Sequence, residues 1–254
     1  MALLNLKFLS ETLGRQTEIN VIVPQKSTRG AIGIENNARD EKYKTLLLLH
    51  GLSDDGSIWM RHTSIERYAI ERGIAVIMPS GARSFYADMK NGDRYYTYIS
   101  EEVLRIAREF LPLSEKREDT FIAGNSMGGY GALKIALKNP DKFAAAAGLS
   151  SVADVEDFME KYAPHLRGSI FGDGEIAEEE NLFYLVKTHN KDAQKPKLYM
   201  AVGKQDYMYH NNLQLKELLK NSDYSFQYAE AEGSHTWAFW DTYIQKALDW
   251  LLEK

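Results

Sequence analysis

The chain has 254 residues, a formal charge of −5 from 31 basic and 36 acidic side chains, and no cysteine. That length suits one large α/β domain, able to bury about 70–75% of the surface its unfolded chain exposes. Mild acidity offers no general attraction to nucleic acid or anionic lipid, and the lack of cysteine excludes a disulfide framework, a thiolate nucleophile and a cysteine-type zinc site.

Residues 1–7 carry no basic segment ahead of a long apolar run, and no stretch approaches the ~20 apolar residues that span a bilayer. A cytoplasmic protein without membrane or nucleic-acid partners is therefore expected. Residues 6–10 and 18–23 alternate apolar and polar side chains on either side of Gly14, which predicts an antiparallel hairpin at a sheet edge. Residues 45–50 are a continuous apolar run, as a strand covered on both faces requires. The pattern returns at 74–79 after Gly73, which is placed as a helix C-cap. Further strands are predicted at 121–123, 144–149, 197–202 and 225–231. Helices are predicted at 57–72, 99–111, 129–137, 207–219 and 236–251. Alternating strands and helices make a mostly parallel twisted sheet with helices on both faces, in a single domain over residues 1–254. Residues 151–190 break the rhythm. They hold no strand, several glycines, scattered aromatics and the acidic run Glu178-Glu179-Glu180. A surface helix with a loop is one reading; a small cap over the site is the other, and the length favours the cap.

Residues 124–128 read Gly-Asn-Ser-Met-Gly between the predicted strand 121–123 and the predicted helix 129–137. G-x-S-x-G in that setting is a nucleophile elbow. Ser126 must occupy a sharp, strained turn so that its Oγ stands clear of the backbone. Side chains at 124 and 128 would collide with the neighbouring strand and helix.

A serine hydroxyl needs a general base, and the base needs an orienting acid. With the chain order Ser, acid, His, His50 and His62 come too early. His165 falls in the suspected cap, and His189 and His210 lie in polar contexts. His235 remains, in a Gly-Ser-His-Thr-Trp loop between the last strand and the last helix, where catalytic groups gather in open α/β sheets. Asp206 is the carboxylate between the strand at 197–202 and the next helix. A helix N-cap is one role open to it; the favoured one is the acid that accepts the His235 Nδ1–H. The oxyanion hole needs two backbone N–H groups. Met127, just after the nucleophile, supplies one and Leu52, after His50-Gly51, the other. His50 is then a structural residue of that loop. Ser84-Phe85-Tyr86 follows a strand end, so Phe85 and Tyr86 either wall the acyl pocket or pack the loop. Trp59 is expected near the site, a few residues beyond the oxyanion loop. Trp237 and Trp240 are spaced to pack the last helix on the sheet.

These residues resemble the esterase D / S-formylglutathione hydrolase-like branch of the α/β-hydrolases. Within that branch they are most similar to the small bacterial tributyrin esterases. The similarity rests on Leu48-Leu49-His50-Gly51-Leu52-Ser53, on residues 121–131, and on Gly233-Ser234-His235-Thr236-Trp237 with Trp240. Met78-Pro79-Ser80 and Tyr95-Tyr96-Thr97 ahead of Glu101-Glu102 match more loosely, and the likeness extends over nearly the whole chain. The resemblance implies an α/β-hydrolase fold with Ser126, Asp206 and His235 as triad and Leu52 and Met127 as oxyanion donors. It further implies hydrolysis of short acyl esters, acetyl to butyryl, without metal or organic cofactor, and a homodimer or homotetramer. S-formylglutathione hydrolases carry a histidine where this chain has Tyr130, and a cysteine nearby, so oxygen esters are favoured over glutathione thioesters. A thioesterase, an esterase acting on carbohydrate or phenolic esters, an acyltransferase and a non-catalytic binding protein are the alternatives.

Overall fold

Alternation within the apolar strands decides where the core lies. The computed structural model describes residues 1–26, 32–35, 37 and 42–253. β1 (Ala2–Ser10) and β2 (Arg15–Val23) form the hairpin, with Gly14 at φ +65° in its turn. β3 (Lys44–Leu49), β4 (Ile74–Pro79), β5 (Thr120–Asn125), β6 (Ala145–Leu149), β7 (Lys197–Gly203) and β8 (Phe226–Ala231) complete the sheet. The order is β1-β2-β4-β3-β5-β6-β7-β8. The hairpin joins β4 antiparallel, and the remaining pairs are parallel.

Helices α1 (Ile58–His62) and α2 (Ile65–Arg72) lie between β3 and β4, and α3 (Tyr95–Thr97) and α4 (Val103–Phe110) between β4 and β5. α5 (Met127–Lys138) leads to β6. α6 (Val155–Lys161), α7 (Pro164–Ile170) and α8 (Leu182–Thr188) lead to β7, α9 (Tyr209–Lys220) to β8, and α10 (Trp237–Leu252) follows. In β3, Leu46 and Leu48 pack with α1, α2 and α10 on one side of the sheet. Leu47 and Leu49 pack with α4, α5, α8 and α9 on the other. Each such leucine contributes about 1.5–3 kcal/mol by leaving water, so a strand loaded on both faces anchors both layers.

Two predicted helices differ from the structure. The helix expected at 57–72 is broken at Thr63, which is extended at φ −138° and ψ 171°. Its Oγ1 donates to the Trp59 carbonyl (2.6 Å) and accepts from the Ile65 N–H (3.1 Å). The side chain thus ends α1 and starts α2, competing locally with the helical ladder. The helix expected at 99–111 starts at Tyr95 and passes through a π turn, Tyr98–Glu102, before α4. Gly73 is the α2 C-cap, left-handed at φ +63°.

Residues 151–190 form α6, α7, a short 3₁₀ turn at Glu178–Glu180, and α8. Asp154 caps α6 by accepting from Glu156 and Asp157 N–H, and Asn181 caps α8 by accepting from Phe183 and Tyr184 N–H. α8 packs against α5 and α9. The chain at 90–91 is pinned to α7 by Lys90 N–H to the Ile170 carbonyl (2.8 Å) and Asn91 N–H to the Ser169 carbonyl (2.9 Å). No described helix is long and apolar enough to cross a membrane.

The π turn carries Glu102 into the interior beneath the β1–β2 turn. Its carboxylate accepts from Ser10 Oγ (2.5 Å), Glu11 N–H (2.8 Å) and Thr12 N–H (3.3 Å). Burial pushes this carboxyl up, but the donors at Ser10, Thr12 and Glu11 outweigh it and hold its pKa below the ordinary glutamate value. As pH falls, the unfolded chain therefore takes up this proton first. The stabilisation is whole above about pH 4.3 and is lost as pH drops through the lower folded value. Glu102→Gln is expected to lower the urea-unfolding free energy at pH 7 by about 1.5–3 kcal/mol. The gap from wild type should close as the titration is repeated toward pH 3.

Candidate active site

The position of Ser126 is set by backbone before side chains. β5 ends at Asn125, and Ser126 turns the chain into α5 at φ 55° and ψ −119°. A non-glycine residue in such a region costs about 1–3 kcal/mol and persists only where its surroundings fix it. Here Ser126 N–H donates to the Leu149 carbonyl (2.8 Å), and its own carbonyl accepts from Tyr130 N–H (3.0 Å). A Cβ at position 128 would stand 2.5 Å from the Leu49 oxygen and 2.6 Å from the His50 oxygen. A Cβ at 124 would meet the Gly128 oxygen at 2.4 Å. Glycine at both positions lets the elbow lie directly against the end of β3.

His235 lies in the loop between β8 and α10, and Asp206 just after β7. The two loops meet backbone to backbone: a Cβ on Gly203 would be 2.2 Å from the Gly233 oxygen. Gln205 N–H donates to the Gly233 carbonyl (2.9 Å), and Gly233 N–H to Gln205 Oε1 (2.7 Å). His235 Nδ1 is 3.0 Å from each oxygen of the Asp206 carboxylate, and Nε2 is 3.0 Å from Ser126 Oγ. A carboxylate only accepts, so Nδ1 carries the proton and Nε2 is free to accept from the serine hydroxyl. Asp206 is buried, and its Oδ1 also accepts from Met208 N–H (2.8 Å). Asp206 thus faces the histidine and braces the turn ahead of α9, whose N-cap position is taken by Met208 and not by Asp206. The imidazole is flanked by Tyr207 (ring centroids 4.6 Å apart) and by the edge of Trp240 (4.9 Å, 89°).

Leu52 and Met127 take their expected places, in the turn after β3 and at the first position of α5. Neither N–H donates to an acceptor among the described residues. The Gly51 backbone stands beside Ser126, since a Cβ built there would be 3.8 Å from Ser126 Cβ. His50 is buried. Its Nδ1 donates to the Gly51 carbonyl (2.7 Å) and its Nε2 accepts from Gly81 N–H (2.8 Å). Burial pushes its pKa down, which keeps the ring neutral and the loop in one arrangement.

A cavity of about 560 Å³ opens over Ser126 and His235, walled by Leu52, Asp54, Arg83, Tyr207, Trp237 and Trp240. The three residues expected to contact substrate are not among its walls. Trp59 is buried: its indole N–H donates to the Leu49 carbonyl (2.9 Å), and its ring meets Trp237 edge-on at 5.0 Å, one layer behind the wall. Phe85 and Tyr86 are left-handed, at φ 52° and 50°, and fully buried. Ser84 enforces that turn, with Oγ donating to the Gly81 carbonyl (2.6 Å) and accepting from Tyr86 N–H (3.0 Å). Phe85 consequently packs against Tyr130, Phe158 and Phe171, while Tyr86 donates its hydroxyl to the His50 carbonyl (2.8 Å). Both pack the interior instead of walling a pocket.

The walls that sequence reasoning missed are Asp54, Arg83, Tyr207 and Asn125, the residue before the nucleophile. For Asp54, Tyr207 and Asn125 closeness to Gly51, Asp206 and Ser126 was the available signal; Arg83 had only its place just before Ser84-Phe85-Tyr86. Trp240 packs on the sheet as expected, its indole N–H donating to Ser150 Oγ (3.0 Å), yet it and the half-buried Trp237 also face the cavity. Residues 151–190 reach two wall residues: Tyr162 packs on Tyr207 (5.1 Å), and His165 Nε2 lies 3.2 Å from Arg83 Nη2. Among the described residues no three His, Asp or Glu side chains cluster to hold a metal ion.

A mostly parallel sheet with a serine elbow and a Ser–His–Asp chain at its carboxyl end defines a serine hydrolase of the α/β-hydrolase fold. The chain belongs to the Esterase family, which matches residues 10–251, and it is a carboxylic ester hydrolase. It is 33% identical over 263 residues to an acetyl esterase of Caldicellulosiruptor saccharolyticus, covering 99% of this chain and 98% of that one. Among solved structures it is similar to FphF, a fluorophosphonate-binding serine hydrolase of Staphylococcus aureus. The TM-score is 0.90 and the identity 38%, over 100% of this chain and 99% of that one. It is similar also to the S-formylglutathione hydrolase FrmB of the same organism (TM-score 0.86, 39% identity, 99% of each chain).

The contact between elbow and β3 gives a direct test. Gly128→Ala forces the Leu49 and His50 carbonyls away and is expected to lower the unfolding free energy by about 1–3 kcal/mol. Because those carbonyls lead into the Gly51-Leu52 turn, kcat for p-nitrophenyl acetate should fall with it. Urea denaturation and steady-state kinetics on the same preparation read both.

Proposed function

We propose that Ser126, His235 and Asp206 are the catalytic triad of a serine carboxylesterase that hydrolyses short-chain acyl esters, acetyl to butyryl, of the tributyrin type. The supporting observation is the unbroken hydrogen-bonded chain from Asp206 through His235 to Ser126, each link at 3.0 Å. His235 Nε2 takes the hydroxyl proton as Ser126 Oγ adds to the ester carbonyl. Asp206 holds the Nδ1–H tautomer and stabilises the imidazolium. Leu52 and Met127 N–H receive the oxyanion, each such donor being worth about 3–4 kcal/mol of transition-state stabilisation. The imidazolium then protonates the departing alcohol, and water attacks the acyl-enzyme by the same route reversed.

Short acyl preference is supported by the bulky Trp237, Trp240 and Tyr207 around the nucleophile and by likeness to a chain named an acetyl esterase. A thioesterase of the S-formylglutathione hydrolase type is the second reading, favoured by the likeness to FrmB. Tyr130, which stands where those enzymes carry histidine, is buried and does not wall the cavity, so it does not weigh against a thioester. The reading extends to a cytoplasmic enzyme that takes a small-molecule ester, uses no nucleic acid, membrane or cofactor, and assembles as a homodimer or homotetramer. Leu3 and Leu9, exposed on the edge strand β1, offer an apolar surface for that assembly; light scattering behind a sizing column checks it.

Ser126→Ala and Asp206→Asn are each expected to lower kcat by about 10⁴-fold or more. Across p-nitrophenyl esters the rate should peak between acetyl and butyryl, and a peak at octanoyl or longer would overturn the short-acyl assignment. S-formylglutathione cleaved faster than p-nitrophenyl acetate would favour the thioesterase.

A further inference from the structure

Lys134 lies eight residues beyond the nucleophile in α5 and is 0% exposed. Its ammonium donates to the Glu180 carboxylate and to the Phe85 carbonyl (3.1 Å), and it lies 4.7 Å above the Tyr130 ring. Glu180, in the 3₁₀ turn ahead of α8, also accepts from the Tyr130 hydroxyl, at its carbonyl (2.7 Å) and at Oε2 (3.0 Å). Burial pushes the Lys134 pKa down, and the facing carboxylate opposes the fall. The triad chemistry uses none of these groups. Stability alone does not account for them either, because a buried ion pair is often no more stabilising than apolar side chains of the same volume.

The Phe85 carbonyl held by Lys134 belongs to the left-handed pair Phe85-Tyr86. Tyr86 is wedged between two backbones: a Cβ at Gly81 would be 2.4 Å from its ring, and one at Gly131 would be 2.3 Å away. From there its hydroxyl donates to the His50 carbonyl (2.8 Å), one peptide before Gly51-Leu52. A continuous path thus runs from Glu180 through Lys134, Phe85 and Tyr86 to the turn that presents the Leu52 N–H.

We propose that Lys134, clamped by Glu180, is a positioning residue for the oxyanion loop, acting through Phe85 and Tyr86 on the His50 carbonyl. It rests on the reading of Ser126 as nucleophile and Leu52 as oxyanion donor. The pair fixes the strained Phe85-Tyr86 turn, the turn aims the Tyr86 hydroxyl, and that bond sets the direction of the peptides at 50–52. Residues 178–180 thereby take part in catalysis at a distance, without touching substrate.

Two variants test this. Tyr86→Phe removes only the hydroxyl. Lys134→Met combined with Glu180→Gln removes the ion pair without leaving a lone buried charge, and keeps an acceptor for Tyr130. Each is expected to lower kcat for p-nitrophenyl acetate about tenfold with KM within about twofold. Each should weaken binding of butylboronic acid, whose tetrahedral Ser126 adduct places an oxygen in the oxyanion hole, by about the same factor. Combining all three substitutions should add little to the larger single loss, because the effects share one path. Unchanged kcat and boronate affinity in Tyr86→Phe overturns the proposal whatever happens to the thermal midpoint, as do losses that multiply in the combined variant. Should the double variant not fold, Tyr86→Phe decides alone. Ester cleavage undiminished in Ser126→Ala defeats the underlying reading; an inactive Ser126→Ala beside a fully active Tyr86→Phe defeats only the positioning role.

Discussion

Ser126 meets His235 only because the main chain at the end of β5 lies in direct contact with the main chain at the end of β3. Gly124 and Gly128 permit that approach, with the carbonyls of Leu49 and His50 where a β-carbon would stand. Everything else in the site is fixed relative to this crossing. It places Ser126 beside Gly51, and so brings Leu52 and Met127 into one neighbourhood. It also forces Ser126 into a left-handed conformation that Leu149 and Tyr130 must hold. A second bare-backbone contact, Gly203 against Gly233, joins the loops of Asp206 and His235. The hydrogen-bonded chain spans these two crossings, one for the serine and one for its partners.

The strain needed to do this is concentrated. The left-handed non-glycine residues among those described are Ala82, Phe85, Tyr86, Ser126 and Ser150. Ser126 and Ser150 follow directly on β5 and β6, and Ala82, Phe85 and Tyr86 lie in the loop after β4, all at the carboxyl end of the sheet where the cavity opens. Each costs about 1–3 kcal/mol, and Phe85, Tyr86, Ser126 and Ser150 have neighbours that hold them. Ser84 and Lys134 serve the first loop, Leu149 and Tyr130 the second. At Ser150, the N–H donates to the Ala201 carbonyl (2.7 Å), and Oγ accepts from the Trp240 indole. The regular strands, loaded with leucine, valine and isoleucine on both faces, supply the stability against which this end is held.

Much of this was legible in the amino-acid order, and what was not has physical causes. Apolar runs bounded by glycine located β3, β4, β5 and β7, because burial on both faces leaves few other sequences able to form a parallel strand. Ser126, Asp206 and His235 were readable because acyl-transfer chemistry uses those residue types and the α/β-hydrolase sheet presents them in that order at its strand ends. The break at Thr63 was not, since it depends on a hydroxyl choosing its own helix as partner. For Phe85 and Tyr86 the choice between pocket wall and loop packing stayed open, because an aromatic in a loop has no local signal for the side it will face. That side was settled by Ser84 and by the His50 carbonyl, 36 residues away from Tyr86. Lys134 looked like any helix position, although it is the lone charge within the buried run Gly131–Leu137. Its partner Glu180 lies in a segment whose fold no periodicity announced.

Aromatic side chains pack around His235. Three of the chain's four tryptophans form one edge-to-face run: Trp59 against Trp237, Trp237 against Trp240, and Trp240 against the His235 imidazole. Whenever that ring holds a second proton, a positive charge rests against the indole at the end of the run, and cations couple strongly to indole electrons. Any charge on that ring is thus felt first by a side chain that also absorbs in the ultraviolet, and two further indoles stand in line behind it.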